Sequence, residues 1–588
     1  MYRAPLRELR FVLEELLQAS SLARYPDFTD YSGDVAESIL EEAGRFAETV
    51  LDPINRSGDE QGARWTAAGV VAAPGFRDAY QQFAAGGWTQ LGTDPEYGGQ
   101  RLPQALVTAV QEIWGSANLA FKLCPMLTHG AVHALELTGT PEQKRTFLPK
   151  MISGEWTGTM NLTEPQAGSD LAQIRTRAVP EGDHYRLFGQ KIFITWGDHD
   201  CTDNIIHMVL ARIEGAPAGV RGISLFIVPK VLVNDDGSLG KHNDVRCVSI
   251  EHKLGIHASP TCVLAYGEKE GAIGYLVGQA NRGLEYMFIM MNAARLSVGL
   301  EGYAVGERAY QQAAEFARTR IQGKPPAAQG DGPLPIIHHP DIKRMLLTMK
   351  STTEACRAVS MYTAFQLDLA SHHTDEKQRA IAQARGDLLI PIVKGWCTET
   401  GNQIAGVGVQ IHGGMGFIEE TGAAQYVRDV RITTIYEGTT GIQSNDLIGR
   451  KIGRDGGAAM SLLLADVSRE LGSLDKAEPA VIAALEAVDS LQDATRSLLK
   501  SWGSRPDAAM AVSVPYLMLC GYVLGGWLLA RSAAIAAGKL QGLDKSFYES
   551  KIHTARFYAS QVLPNTLALA RIVQTGADSV IDTDAALI

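Results

Sequence analysis

The sequence predicts an α+β protein that is mainly α. It reads as an N-terminal helical domain over 1–155, a middle β domain over 156–283, a C-terminal helical bundle over 284–455 and a helical C-terminal extension over 456–588. Three observations carry that prediction. Apolar residues recur at helical spacing on both sides of the middle segment. Between about 156 and 283 the pattern changes to short apolar or alternating runs divided by turn residues. No glycine fingerprint stands at a strand-to-helix junction, so a dinucleotide-binding α/β fold is not indicated.

In the first domain, Ile39, Leu40, Ala43, Phe46 and Val50 share a helical face, and Asp52-Pro53 is expected to end that helix. Gly92 to Leu102, with Pro95, Gly98 and Gly99, reads as a loop. Thr140 is placed as a helix N-cap, with Pro141 at the first helical position and Gln143 at the third. In the β domain the runs starting at Tyr185, Lys191, Ile205, Ile223 and Thr261 read as strands of a barrel or sandwich, with Gly189, Gly197, Asp198, Gly222 and Gly267 in turns.

Beyond it, Gly299 and Gly302 permit tight helix packing, and Gly323 to Pro335 reads as a loop. In the extension, Ile482, Leu485, Val488, Leu491, Leu498 and Leu499 trace one helical face. Ala508 to Ala530 carries no charge and is long enough to span a bilayer. Pro515, Gly521, Gly525, Gly526 and the neighbouring Asp507 favour a helix buried in a large bundle; a membrane-associated helix is the alternative.

The chain of 588 residues, 45% hydrophobic and 20% charged, has a soluble globular composition and ample length for a buried core. A net charge of −11 argues against a nucleic-acid partner, because phosphate binding needs a basic face. It leaves room for a local basic patch. Seven scattered cysteines without a CxxC fit reduced thiols in a cytoplasmic protein, with no metal site. The first ten residues carry charges where a signal peptide needs an apolar core.

The chemistry points to Glu437. Ile435-Tyr-Glu-Gly-Thr-Thr-Gly-Ile-Gln443 sets one carboxylate between an aromatic residue and a glycine in a stretch of little charge. Poor solvation there raises its pKa toward neutrality and suits it to take a proton from carbon. The structural alternative is a surface glutamate at a helix start, where the helix dipole favours anions.

Four segments in order resemble the acyl-CoA dehydrogenases: Asn161-Leu-Thr-Glu-Pro-Gln-Ala-Gly-Ser-Asp170, Lys191-Ile-Phe-Ile-Thr195, Gln410-Ile-His-Gly-Gly-Met-Gly-Phe417 and the segment around Glu437. The resemblance covers roughly residues 40 to 450. The long tail places it with the branch that includes 3-methylmercaptopropionyl-CoA dehydrogenases and bacterial fatty acyl-CoA dehydrogenases.

The resemblance implies FAD, bound by Thr163, Ser169, Phe193, Thr195, Arg320, Gln410, Gly413, Gly414 and Thr439, with Arg318 as the fallback for Arg320. It implies that Ser169, Asn292, Arg295 and Gly438 meet the acyl-CoA substrate, and that the Gln410–Gly414 segment reaches the cofactor of a neighbouring subunit. A homodimer or dimer of dimers follows. The implied activity is α,β-dehydrogenation of a fatty acyl-CoA or of 3-methylmercaptopropionyl-CoA, with electrons passed to electron-transfer flavoprotein. An acyl-CoA oxidase using oxygen and a non-catalytic acyl-CoA-binding scaffold are the alternatives. No integral membrane insertion is expected.

Overall fold

The computed structural model describes residues 1–329 and 332–588. In chain order, α1 (Leu6–Arg10), α2 (Gly33–Phe46) and α3 (Asp52–Gln61) lead to a hairpin of β1 (Arg64–Thr66) and β2 (Gly69–Val71). The helices α4 (Phe76–Ala85), α5 (Gln104–Ala117), α6 (Leu119–Thr138) and α7 (Pro141–Ile152) follow. Ten strands come next: β3 (Trp156–Asn161), β4 (Arg177–Glu181), β5 (His184–Thr195), β6 (Asn204–Ile213), β7 (Ile223–Pro229), β8 (Val231–Val233), β9 (Leu239–His242), β10 (Val245–Ile250), β11 (Thr261–Tyr266) and β12 (Ala272–Val277).

The rest is helical. It comprises α8 (Gly283–Thr319), α9 (Pro340–His372), α10 (Glu376–His412), α11 (Ala423–Val430), α12 (Thr440–Asp446), α13 (Ala458–Ser473), α14 (Pro479–Ser504), α15 (Pro506–Ala511), α16 (Ser513–Ala537), α17 (Lys545–Gln561), α18 (Asn565–Thr575) and α19 (Ala577–Ile581). The chain forms two compact units, one of residues 45–102 and 117–294, the other of 1–44, 103–116 and 295–588.

In the first unit, β5, β12, β7, β6 and β4 pair in a ring that closes where β4 bonds both β5 and β6. Strand β3 extends it beside β6, and β11 and β10 extend it beside β5. Ala178, Leu187, Val209, Phe226, Val228, Leu264 and Ala272 fill its core. The barrel-type reading therefore holds.

Two local expectations in this unit are corrected. Gly189 is not a turn but lies inside the single strand β5, packed so close to Thr176 that a Cβ would sit 2.5 Å from its Oγ1. Asp52-Pro53 does not break the helical path. A π-helical turn at Ala47–Leu51 runs straight into α3, and Pro53 stands in its first turn, where a missing N–H forfeits no bond. The Thr140 cap forms as expected, with Gln143 reaching back to complete a capping box.

In the second unit, the apolar segment of the extension becomes α16, preceded by the short α15, with Pro515 in the first turn of α16. Its most apolar window is 83% buried inside the protein. It packs against α9, α10, α14, α17 and α18. Gly521 lets it approach Trp396 of α10, where a Cβ would come within 2.1 Å of the indole.

The buried face of α14 is rotated from the expected one. Val481, Ala484, Val488, Leu491, Thr495 and Leu498 face inward, while Ile482 is 46% exposed. The helices α16, α17 and α18 pack against α14, and Ile482 is left on its outer side.

A buried charge network ties the N-terminus to the extension. Lys551 donates to Glu8 (2.6 Å) and Glu354 (2.7 Å), Lys350 also binds Glu354, and Arg357 bonds Glu112 and Glu307. The two lysines hold the Glu354 carboxyl down at about 2 against its burial.

Candidate active site

The second unit carries the Glu437 loop. Helix α12 is capped by Thr439, whose Oγ1 accepts the Ile442 N–H at 3.3 Å. Just before it, Glu437 (φ 53°) and Gly438 (φ 89°) are consecutive left-handed residues. For a side chain larger than glycine that conformation costs on the order of 1–2 kcal/mol, so neighbours must impose it. Gln443 Nε2 donates to the carbonyls of Glu437 (3.0 Å) and Gly438 (3.2 Å), and Lys394 Nζ donates to the Gly438 carbonyl at 2.6 Å. Tyr436 donates its hydroxyl to Glu301. The Glu437 N–H finds no acceptor among the described residues.

A glycine seam brings these groups together. A Cβ on Gly299 would meet Val393, one on Gly302 would lie 2.4 Å from the Cys397 carbonyl oxygen, and one on Gly401 2.1 Å from the Gly302 oxygen. The backbones of α8 and α10 therefore touch. Arg295 and Glu301 on α8 and Lys394 on α10 are set against the same loop, as the tight packing expected at Gly299 and Gly302 requires.

The electrostatics follow from burial. Glu437 is half-buried, and desolvation pushes its carboxyl up to about 7; Arg295 and Lys394 oppose the rise and Glu301 adds to it. Burial lowers the Lys394 ammonium to about 8, against the pull of Glu437 and Glu301. Arg295, 4% exposed, bonds Asp446 through Nη1 at 2.9 Å, and its buried Nε has no partner among the described residues. A carboxylate that is half-ionised near neutrality, beside unpartnered backbone and guanidinium donors, is equipped to take a proton while negative charge develops next to it.

Of the residues singled out in the sequence, Glu437, Gly438, Thr439 and Arg295 come together here. Asn292 lies three residues before Arg295 on α8, half-buried. Thr439 is exposed and already caps α12. Arg320 follows the end of α8, exposed and without an ion pair among the described residues. Gln410, Gly413 and Gly414 are exposed at the end of α10, where a Cβ on either glycine would touch nothing within 4 Å. The loop that follows leaves Met415, Phe417 and Ile418 exposed, Phe417 by 86%.

In the first unit, Thr163 and Ser169 sit on the loop after β3, half-buried and exposed. The Ile192 N–H binds the Thr163 carbonyl (2.9 Å), which sets that loop beside β5. A β-bulge opposite Val263 gives Phe193 a φ of 60° and turns its ring outward, 58% exposed; Thr195 is half-buried. An outward aromatic ring, a hydroxyl-bearing loop and bare glycine backbone fit the ring and phosphates of a flavin nucleotide.

Sequence reasoning missed four residues. Glu164 anchors the Thr163–Ser169 loop through buried bonds to Lys191 (2.8 Å), Thr176 and the Arg175 N–H. Glu301, Lys394 and Gln443 fix the Glu437 loop. Lys394 did leave a signal, as the lone charge in Leu388-Leu-Ile-Pro-Ile-Val-Lys-Gly-Trp-Cys397.

Comparison with known proteins is consistent along the whole chain. Models of the acyl-CoA dehydrogenase N-terminal, middle and C-terminal domains match residues 34–155, 159–267 and 281–452, and one described as acetyl-CoA dehydrogenase C-terminal like matches 463–584. The chain is 47% identical to the 3-methylmercaptopropionyl-CoA dehydrogenase of Ruegeria pomeroyi, over 98% of each. It is 35% identical to the broad-specificity linear acyl-CoA dehydrogenase FadE5 of Mycobacterium tuberculosis, over 100% of this chain and 99% of the other. Its fold matches Caenorhabditis elegans ACDH-11 in complex with C11-CoA, with a TM-score of 0.76 at 21% identity over 100% of this chain and 96% of that one.

Proposed function

The chain belongs to the acyl-CoA dehydrogenase family, and from that premise we propose that it converts an acyl-CoA thioester to the trans-2-enoyl-CoA with Glu437 as the base. The observation that carries this reading is a carboxyl raised to about 7 on an imposed left-handed turn, flanked by the unpartnered Glu437 N–H and Arg295 Nε. Glu437 takes the α-proton. The electrons of that C–H bond form the new double bond as hydride leaves the β-carbon. FAD, when bound, supplies the hydride acceptor. The Glu437 N–H bonds the thioester oxygen as negative charge grows there, and Arg295 adds a fixed positive charge.

Thr163, Ser169, Phe193 and Thr195 are the proposed flavin contacts of the β unit, and Arg320, Gln410, Gly413, Gly414 and Thr439 those of the helical unit. Ser169, Asn292, Arg295 and Gly438 are the proposed contacts of the acyl-CoA. The 47% similarity to a 3-methylmercaptopropionyl-CoA dehydrogenase favours that methylthio substrate. A linear fatty acyl-CoA is the second reading, favoured by the FadE5 similarity.

Electron-transfer flavoprotein is the proposed acceptor. The exposed Met415, Phe417 and Ile418 next to Gly413 support a dimer or dimer of dimers. Seven free, buried cysteines suit a cytoplasmic setting, and the burial of α16 suits a protein outside the membrane. The test is anaerobic flavin bleaching by a panel of acyl-CoAs. Rapid bleaching by 3-methylmercaptopropionyl-CoA and slow re-oxidation in air support the proposal. A purified protein without FAD, or one re-oxidised by oxygen at the catalytic rate, refutes it.

A further inference from the structure

Lys394 is fully buried, with 0% of its surface exposed, yet among the described residues no carboxylate lies within ion-pair distance of its ammonium. A buried charge is normally paired, because desolvation without compensation is expensive. The nearby ions are engaged elsewhere. Arg295 is held by Asp446 at 2.9 Å, Glu301 accepts the Tyr436 hydroxyl, and Glu399 accepts the Thr440 hydroxyl at 2.6 Å. The direct contact of Lys394 is the carbonyl of Gly438, one residue past the base.

Three features place the ammonium there. The seam at Gly299, Gly302 and Gly401 presses α10 on α8. Pro391 stands one turn before Lys394, and the Thr398 hydroxyl bonds the Lys394 carbonyl at 2.7 Å. On its far side, α10 is covered by the extension, with Leu517 against Gly395 and Gly521 against Trp396.

Resting on the reading of Glu437 as the base, we propose that Lys394 is its positioning residue. Anchored on the Gly438 carbonyl, its ammonium fixes the left-handed turn and supplies a buried positive charge near which Glu437 ionises. It touches neither substrate nor cofactor in this role. The charged groups acting on it are Glu437 of the loop, Arg295 and Glu301 of α8 and Glu399 of its own helix, with Tyr436 bonded to Glu301 and Asp446 to Arg295 behind them. Among them Glu437 is the foremost carboxylate acting on the lysine, and Lys394 in turn opposes the rise in the base.

The test compares the FAD-loaded full chain with Lys394→Met, which removes charge and donor, and Lys394→Gln, which removes the charge but keeps an N–H donor on a side chain one atom shorter. Anaerobic flavin reduction is followed from pH 5.5 to 9.5, and the Kd of a non-reducible acyl-CoA is measured separately. The expected result for Lys394→Met is an apparent pKa raised by roughly one unit or more, because one fixed charge in a low-dielectric site is gone. A base titrating near 8 rather than 7 is about one-tenth ionised at pH 7 instead of half. The rate should therefore fall about fivefold at pH 7 and recover to within threefold at pH 9, with Kd within threefold of wild type.

Lys394→Gln should shift the profile in the same direction. An unchanged apparent pKa in either folded variant, or a loss equal at every pH, overturns the proposal. If Lys394→Met does not fold, Lys394→Gln alone decides. Failure of the Glu437 reading itself would look different, because a Glu437→Gln control would still bleach at the wild-type rate.

Discussion

Replacing Glu437 by Gln keeps the shape of the side chain and the backbone N–H but removes the carboxylate proposed to accept the α-proton. General-base catalysis contributes about 10²–10⁴ in rate, or roughly 3–5.5 kcal/mol of barrier. The structure sets the expectation at the upper end, because no neighbouring carboxylate is free to substitute. Glu301 accepts Tyr436, Glu399 accepts Thr440, and Asp446 holds Arg295. The assay is stopped-flow reduction of the bound flavin by acyl-CoA under anaerobic conditions. In the wild type the rate should fall about tenfold per pH unit below pH 6, as a base titrating near 7 protonates, and level off above pH 8. The Glu437→Gln residual rate should be flat with pH.

The same substitution tests the energetics. The folded-state pKa of Glu437 is raised, so its contribution to stability is fully present below about pH 4.5 and is lost as pH rises through about 7. Glu437→Gln should therefore be more stable than wild type at pH 8, by about 3 kcal/mol at most and less to the extent that solvent screens this half-buried group, with the difference gone at pH 4. A variant that bleaches within tenfold of wild type, or that gains no stability at pH 8, would refute the reasoning.

Gly302→Val should destabilise the second unit by at least about 3 kcal/mol, because its Cβ would stand 2.4 Å from the Cys397 carbonyl oxygen; equilibrium denaturation measures this. Removing residues 457–588 strips the partners of Trp396 and should cause aggregation and dye binding to exposed apolar surface, read by light scattering and fluorescence. Asp368, whose carboxyl accepts the N–H groups of Gln104 and Ala105, is pushed up to about 7 by burial. Its stabilising contribution should fade as pH rises from about 4 through 7, by up to about 4 kcal/mol, and Asp368→Asn should flatten that part of a denaturation series.

Local chemistry in the sequence was enough to single out Glu437 and to expect its raised pKa, because a carboxylate between an aromatic and a glycine is visible without tertiary structure. The Thr140 cap and the close approach at Gly299 and Gly302 were legible for the same reason. Other features depend on contacts distant in sequence. Phe193 turns outward because of a register shift against β11, and Gly189 is a packing position opposite Thr176. The inner face of α14 is chosen by α16, and Val481 and Ile482 are equally apolar to a reader without it. Lys394 is the instructive omission. A lone lysine in an apolar run is conspicuous, but its role is not readable until the carbonyl it reaches, 44 residues away, is known.

The salt bridge between Glu8 and Lys551 joins residues 543 positions apart, and Tyr2, Leu9, Phe11 and Leu16 are buried in the same unit. During synthesis those apolar side chains are made long before the extension they pack with. At about 5–20 residues per second, the delay between Glu8 and its partner is roughly 30–110 s. The other unit, made of residues 45–102 and 117–294, has all its sequence available far earlier. The nascent chain therefore completes its β unit while an amphipathic N-terminal segment remains unsheltered.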